Sequence, residues 1–207
     1  MKGKSIMKPV DEIYLQLREY KAFNEQEEHD RDAILAFLSG ASIDPYTRES
    51  LLAHMTASAW IVNRERTKVL MVYHNIYDSW SWTGGHADGE RNLLSVALRE
   101  AREETGVEHI TPISNDIFSV EALTVDGHEK KGKYVPSHLH LNVTYLLEAD
   151  ETDALHVCDG ENSGVKWFPL DKALEASSEP WFVERIYKKL NEKLALFVED
   201  ENNACNS

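Results

Sequence analysis

Over roughly the first fifty residues the apolar positions fall at helical spacing. Asn24 and Glu27 have the spacing of a capping box, Ile34, Leu35 and Leu38 follow on one helical face, and Ser39-Gly40 ends that helix. Asp44-Pro45 predicts the start of a further short helix. From Ala57 the pattern changes to strands: residues 57–62 are mostly apolar, 63–67 read as a turn, and 69–73 form a second strand. Leu94, Ala97, Leu98 and Ala101 then return to i, i+3, i+4 and i+7, with Gly106 where a left-handed C-cap belongs. Residues 117–125, 138–147 and 165–168 read as strands. Pro180 opens a closing amphipathic helix that carries Val183, Ile186, Tyr187, Leu190 and Leu194. The tail, 199–207, is polar and expected to fray.

Strands interrupted by one long helix and followed by another predict the α/β class, as an α/β/α sandwich around a mixed sheet. The expected organisation is a helical N-terminal extension over 1–54, a domain over 55–198 and the tail. The extension could pack over the sheet edge, cover the site or make a homodimer contact, and the pattern does not choose among these. No internal repeat or low-complexity tract interrupts the chain.

Composition narrows the picture. The chain has 207 residues, 42% hydrophobic, with five tryptophans, enough for one core and an appendage. No run approaches the ~20 apolar residues of a membrane span. Residues 1–10 carry lysines but no apolar segment, so no signal peptide is expected. Two cysteines, Cys158 and Cys205, are too few for a disulfide framework and fit a reducing cytoplasm. A formal charge of −14 opposes binding to a nucleic-acid backbone.

The candidate chemistry sits in the central helix. Glu100, Glu103 and Glu104 lie at i, i+3 and i+4, so three carboxylates share one helix face and repel one another by roughly 0.2–0.5 kcal/mol per pair. A solvated face, neutralised by Arg99 and Arg102, is the bland reading of such a run. The buried stripe beside it and the loop Gly84-Gly85-His86-Ala87-Asp88-Gly89-Glu90 ahead of it argue for a hard cation. Mg²⁺ prefers carboxylate oxygens and keeps positions for water and substrate phosphates, and a glycine loop lets backbone approach either closely. An acidic protein acting on an anionic diphosphate needs such a bridge.

From Gly85 to Val107 the chain resembles the Nudix box, G-x5-E-x7-R-E-U-x-E-E-x-G-U. Gly85, Arg99, Glu100, Glu103, Glu104, Gly106 and Val107 match in register, and Ala101 stands for the aliphatic U. The first glutamate of the pattern falls on Arg91, with Glu90 one residue early; Gly89 would let the loop re-form and aim Glu90 at the same place. The resemblance extends loosely over residues 57–170. It implies a Mg²⁺- or Mn²⁺-dependent hydrolase of a small-molecule nucleoside diphosphate linked to another moiety. The metal would be held by Glu100, Glu103 and Glu104 with the Gly84 carbonyl, and Gly84, Gly85 and His86 would line the substrate. Arg99 would orient a box glutamate. Either Glu100 or Glu161, a loop acid beyond the box beside Asp159, would take the proton of the attacking water. Isopentenyl diphosphate isomerases share the fold but need a cysteine before the Gly-His of the loop, and this loop has none. A non-catalytic nucleotide-binding module usually loses box glutamates, and all three helix acids are present.

Outside the box, residues 138–145 alternate, so His138, His140, Asn142 and Thr144 share one strand face. The two imidazoles are candidates for substrate contact, against a null of a hydrogen-bonded polar face. A zinc site would need further ligands, and no other Cys or His pair is spaced to supply them. Trp80 and Trp82 are expected in the core, as are Trp167 and Phe168 on a strand under the closing helix.

Overall fold

The structure, a computed structural model, describes residues 12–130 and 132–205. The lysine-bearing segment 1–10 and the last two residues of the tail lie outside the described residues. Two helices come first, α1 (Glu12–Glu19) and α2 (Glu25–Gly40). Strands β1 (Ala53–Val62), β2 (Lys68–His74), β3 (Ser79–Ser81) and β4 (Thr83–His86) lead into helix α3 (Leu93–Thr105). Then come β5 (Ile110–Pro112), β6 (Ser119–Val125), the small hairpin β7 (His128–Lys130) and β8 (Lys133–Val135), β9 (His138–Ala149) and β10 (Asn162–Pro169). The chain closes with α4 (Leu170–Ala176), α5 (Pro180–Phe182), a π-helical turn (Val183–Tyr187) and α6 (Lys188–Cys205). Among the described residues no helix is long and apolar enough to cross a membrane.

Eight strands form one mixed sheet with the central order β10-β2-β1-β9-β5, while β4 pairs with β1, β3 with β2 and β6 with β9. β1 and β9 run parallel in register from Ala53 opposite Leu139 to Val62 opposite Glu148, and the remaining pairs are antiparallel. All ten residues of β1 are buried, which requires cover on both faces. Ala53, Met55, Ala57, Ala59 and Ile61 pack with Leu93, Val96, Ala97 and Ala101 of α3. Trp60 and Val62 point the other way, into Ile186, Tyr187, Leu190 and Leu194 at the C-terminal end, where Trp60 stacks on Tyr187. The sandwich expected from the sequence is therefore present, with Trp82 and Phe168 inside the second layer and Trp80 at its edge.

The N-terminal helices are part of the same core: Ile13, Leu17 and Ile34 are buried with the strand and α3 side chains. Asn24 caps α2 by accepting from the Glu27 N–H at 3.0 Å. The box is only half formed, because the Glu27 carboxylate accepts from Phe23 N–H and Tyr20 instead. No helix follows Asp44-Pro45. The carbonyl of Pro45 accepts from Met55 N–H at 2.8 Å and that of Tyr46 from Gly89 N–H at 2.8 Å, so the acceptors of a first helical turn are already committed to the sheet and the box loop. Pairing with β9, from Ala53 opposite Leu139 onward, carries β1 back to Ala53, four residues before the expected start. At the other end α6 continues through the first part of the tail to Cys205.

Candidate active site

Helix α3 presents the box acids, and its ends are fixed locally. The Asn92 side chain caps the first turn on Ser95 N–H, and Gly106, at φ 77°, closes the last one by donating to the Arg102 carbonyl at 2.8 Å. The buried stripe runs through Leu93, Val96, Ala97 and Ala101, with Leu94 and Leu98 half-buried beside it, one residue round from the expected stripe. That rotation matters for chemistry, because it continues into Glu104. Glu104 is only 6% exposed, whereas Glu103 faces solvent and Glu100 lies between them.

The glycine loop receives these acids. A Cβ on Gly85 would overlap the Glu100 carboxyl group, so only glycine leaves room for that side chain against β4. The Gly84 N–H donates to Glu104 Oε2 at 3.3 Å. Arg99 donates to Glu100 Oε1 at 2.7 Å and to the His86 carbonyl at 3.2 Å, linking box helix to box loop. Burial raises Glu100, against the pull of Arg99. Burial, reinforced by the Glu100 charge, pushes Glu104 up to about 8, and the charges of Glu161 and Glu103 add to it. Glu161, in the loop before β10, is thus near enough for its charge to act on Glu100 and Glu104. It is exposed and lies 3.9 Å from the Cys158 thiol, which burial and Glu161 push up.

Asn162, which the sequence reading passed over, ties the two parts together. Its Nδ2 donates to the Glu104 carbonyl at 2.8 Å and its Oδ1 accepts from Cys158 N–H at 3.1 Å. Its place directly after a candidate loop acid is the one signal in the sequence that points to it. The structure corrects the expectation for Glu90. Its carboxylate is exposed and accepts from Asn92 N–H at 2.8 Å, so it supports the start of α3 and does not point at the acid cluster. Arg91, in the box position of the first glutamate, pairs with Asp44 at 2.6 Å and covers the Tyr46 ring. That position anchors the N-terminal segment. Nearby, Arg48 holds Asp88 of the same loop through two hydrogen bonds, of 2.7 and 2.6 Å.

The remaining candidates gather elsewhere. Gly85 faces Glu100, so His86, the next residue of β4, turns to the opposite face of that strand. There it meets His138 and His140 of β9, together with His54 of β1, another residue that the sequence reading missed. Strand register explains the convergence, since His54 lies opposite His140 and His86 opposite Thr56.

Comparison with known proteins places the domain in a family. The family model described as a NUDIX domain matches residues 52–190, from the start of β1 into α6. An asymmetrical bis(5'-nucleosyl)-tetraphosphatase of Rattus norvegicus is 29% identical over 97 residues, 46% of this chain and 59% of the relative. A CMP-5'-(N-acetyl-N-hydroxy-3-aminopropyl)phosphonate hydrolase of Streptomyces rubellomurinus is 30% identical over 128 residues, 58% of this chain and 53% of the relative. The chain thus spans little more than half the length of these curated relatives. Among solved structures, an Ap4A hydrolase of C. elegans aligns over 70% of this chain and 98% of its own, at 19% identity and a TM-score of 0.46. A NUDIX-family hydrolase of Clostridium perfringens aligns over 70% and 97%, at 20% identity and a TM-score of 0.48. With the matched domain covering both the mixed sheet and the complete box helix, the chain belongs to the Nudix family.

Proposed function

We propose that the chain is a divalent-metal-dependent hydrolase that cleaves a phosphoanhydride bond in a small nucleoside diphosphate derivative. The observation that carries this reading is the convergence of Glu100, Glu103 and Glu104 with Glu161, where like charges meet around a buried carboxylate. An all-oxygen donor set of this kind fits Mg²⁺ or Mn²⁺, held by the three helix glutamates with the Gly84 carbonyl as a further candidate. When bound, such a cation supplies charge neutralisation for phosphate oxygens and a lowered pKa for the attacking water.

The chain's own residues do the positioning. Gly84 N–H fixes the rotamer of Glu104, Arg99 fixes that of Glu100, and Asn162 holds the loop of Glu161 against the end of α3. Either Glu100 or Glu161 accepts the proton of the attacking water. The loop at Gly84 and Gly85 offers side-chain-free backbone to a phosphate. Relatives named for a tetraphosphatase and for a CMP-linked phosphonate hydrolase support a small nucleotide substrate. The net charge of −14 argues against a nucleic acid, and the cysteine usage supports a cytoplasmic setting.

The test is a product assay on the purified full chain. Dinucleoside polyphosphates, nucleotide sugars, ADP-ribose and nucleoside triphosphates would be offered after chelator treatment, with and without added Mg²⁺ or Mn²⁺. Hydrolysis of at least one class that returns with the metal is expected. No turnover of any class under either metal would overturn the reading and favour a nucleotide-binding module.

A further inference from the structure

We propose a second metal site, of different chemistry, at His54, His86, His138 and His140, which takes one zinc ion through four imidazole nitrogens. Each histidine offers one ring nitrogen to the cluster, and these four atoms all lie within 4.8 Å of one another. The ring centroids of His54 lie 5.0, 4.8 and 5.3 Å from those of His86, His138 and His140. His86 and His140 meet at 4.7 Å. Four rings from three strands thus surround one point.

The tautomers support ligation. His54 Nδ1 lies 3.1 Å from the Ser50 carbonyl, and His138 Nδ1 lies 2.8 Å from the Pro136 carbonyl. A carbonyl only accepts, so each Nδ1 carries the proton and donates it outward. Each Nε2 is left with a lone pair turned inward, the arrangement that second-shell carbonyls impose on metal-bound histidine. His54 Nε2 is buried and, among the described residues, has no hydrogen-bond partner. An orphaned buried acceptor is costly, and a cation at the centre of the cluster removes that cost.

The spacing suits zinc. His138 Nε2 and His140 Nε2 stand 3.3 Å apart. Tetrahedral zinc, with Zn–N bonds of about 2.0–2.1 Å, sets its ligand nitrogens about 3.3–3.4 Å apart. That edge is already formed, and no pair, all being within 4.8 Å, must close by more than about 1.5 Å. Four neutral nitrogens also select against Mg²⁺, which prefers oxygen and keeps its waters. An anion is the rival occupant, and it would need imidazolium rings. Burial and the mutual proximity of the rings work against that: His54 is lowered, and His140 is pushed down to about 2.

A filled site would fasten the start of β1, the end of β4 and the start of β9 together. β4 carries Gly84 and Gly85, so the ion would brace the strand whose other face receives Glu100. The inference does not depend on hydrolysis, and it assigns His86, His138 and His140 to a metal instead of to substrate.

The test begins with the full chain, freed of metal by a chelator and titrated with Zn²⁺ by calorimetry in excess Mg²⁺. One saturable equivalent is expected, with a rise in melting temperature on addition. His54→Gln with His140→Gln should weaken it at least about 10-fold, the lower end of what a disturbed metal shell costs. Glu104→Gln should leave it in place. X-ray absorption at the zinc edge of the wild-type protein should show four imidazole nitrogens, and it answers even if the double variant does not fold. Absence of saturable binding, an all-oxygen shell, or loss of the equivalent in Glu104→Gln but not in the histidine variant would each overturn the site.

Discussion

Two sets of glutamates are treated in opposite ways by this fold. Glu27 and Glu121 are fully buried, yet each is met by cations that the chain itself provides. Lys189 reaches Glu121 at 2.9 Å and Glu27 at 3.2 Å, and Lys193 reaches Glu27 at 2.9 Å. Tyr20, Ser119 and the Phe23 N–H complete the shell of Glu27. Burial alone would push Glu27 up, but the two ammonium groups and these donors hold it at about 2. Burial lowers Lys193, whereas Glu121 and Glu27 outweigh burial at Lys189 and raise it. At the box helix Glu100 has Arg99 and Glu104 has one peptide N–H, and there Glu104 rises to about 8. Carboxylates in comparable burial therefore diverge by whether the fold supplies their counter-charge. The shortfall of counter-charge at the box acids is the observation on which the proposed cation site rests.

The strongest way to break the compensated set is to remove the helices that carry half of it. A chain beginning at Leu52 loses Glu27 together with Ile13, Leu17 and Ile34, which are buried in the main core. Three such aliphatics contribute about 1.5–3 kcal/mol each, a large share of the ~5–15 kcal/mol of a typical domain. We expect no cooperative thermal transition from this chain; a sharp transition near that of the full protein would make the extension a detachable tether.

Single substitutions should then separate the two sets. Glu27→Gln leaves buried lysines short of charge and should cost about 3–5 kcal/mol in denaturant unfolding, with turnover per folded molecule preserved. Glu104→Gln should do the reverse. Turnover should fall at least about 100-fold, beyond the usual cost of disturbing a metal's outer shell. Its melting temperature in metal-free buffer should stay level or rise, because a neutral amide replaces a carboxyl group whose ionisation burial and the neighbouring acids oppose. Equal thermal losses in the two variants would erase the distinction.

Acid should find the compensated set as well. Glu27 is held below its ordinary value, so its contribution is complete above about pH 4.5 and drains away as pH falls toward about 2. The loss is about 3 kcal/mol, readable as a slope in urea unfolding free energy that Glu27→Gln should flatten. The smallest effect is expected at Glu90. Its carboxylate is exposed and bonded to Asn92 N–H, so Glu90→Gln should stay within about 0.5 kcal/mol and leave Mg²⁺ activation unchanged. A displaced Mg²⁺ titration curve would return Glu90 to the acid cluster.

What was legible in the sequence was local. Asn24, Gly106, the i, i+3, i+4 glutamates and the alternation of 138–144 all declare themselves within a turn or two of backbone. The α3 stripe is legible in part: Ala97 and Ala101 face β1 as expected, while Leu93 and Val96 fill the places that periodicity gives to Leu94 and Leu98, a choice made only by packing against the sheet. The absent helix after Asp44-Pro45 has a non-local cause, since Met55 and Gly89 take its carbonyls. Asn162 and the lysines opposite Glu27 were hidden for the same reason. His54 was hidden most completely: a lone histidine at a strand start acquires meaning only when pairing with β9 sets it beside His140.

That pairing also orders events in time. Thr56 of β1 and Asn142 of β9, joined side chain to side chain, stand 86 positions apart in the chain. A parallel pair separated by that distance pays a large loop-closure entropy before it gains its contacts, so it belongs to the slow part of folding. Helix α3 needs no such closure and can display its carboxylates on a turn that still lacks its strand. The four imidazoles have no common point until β1, β4 and β9 have met. An ion bound there would act after the rate-limiting step, slowing unfolding while leaving the folding rate nearly untouched.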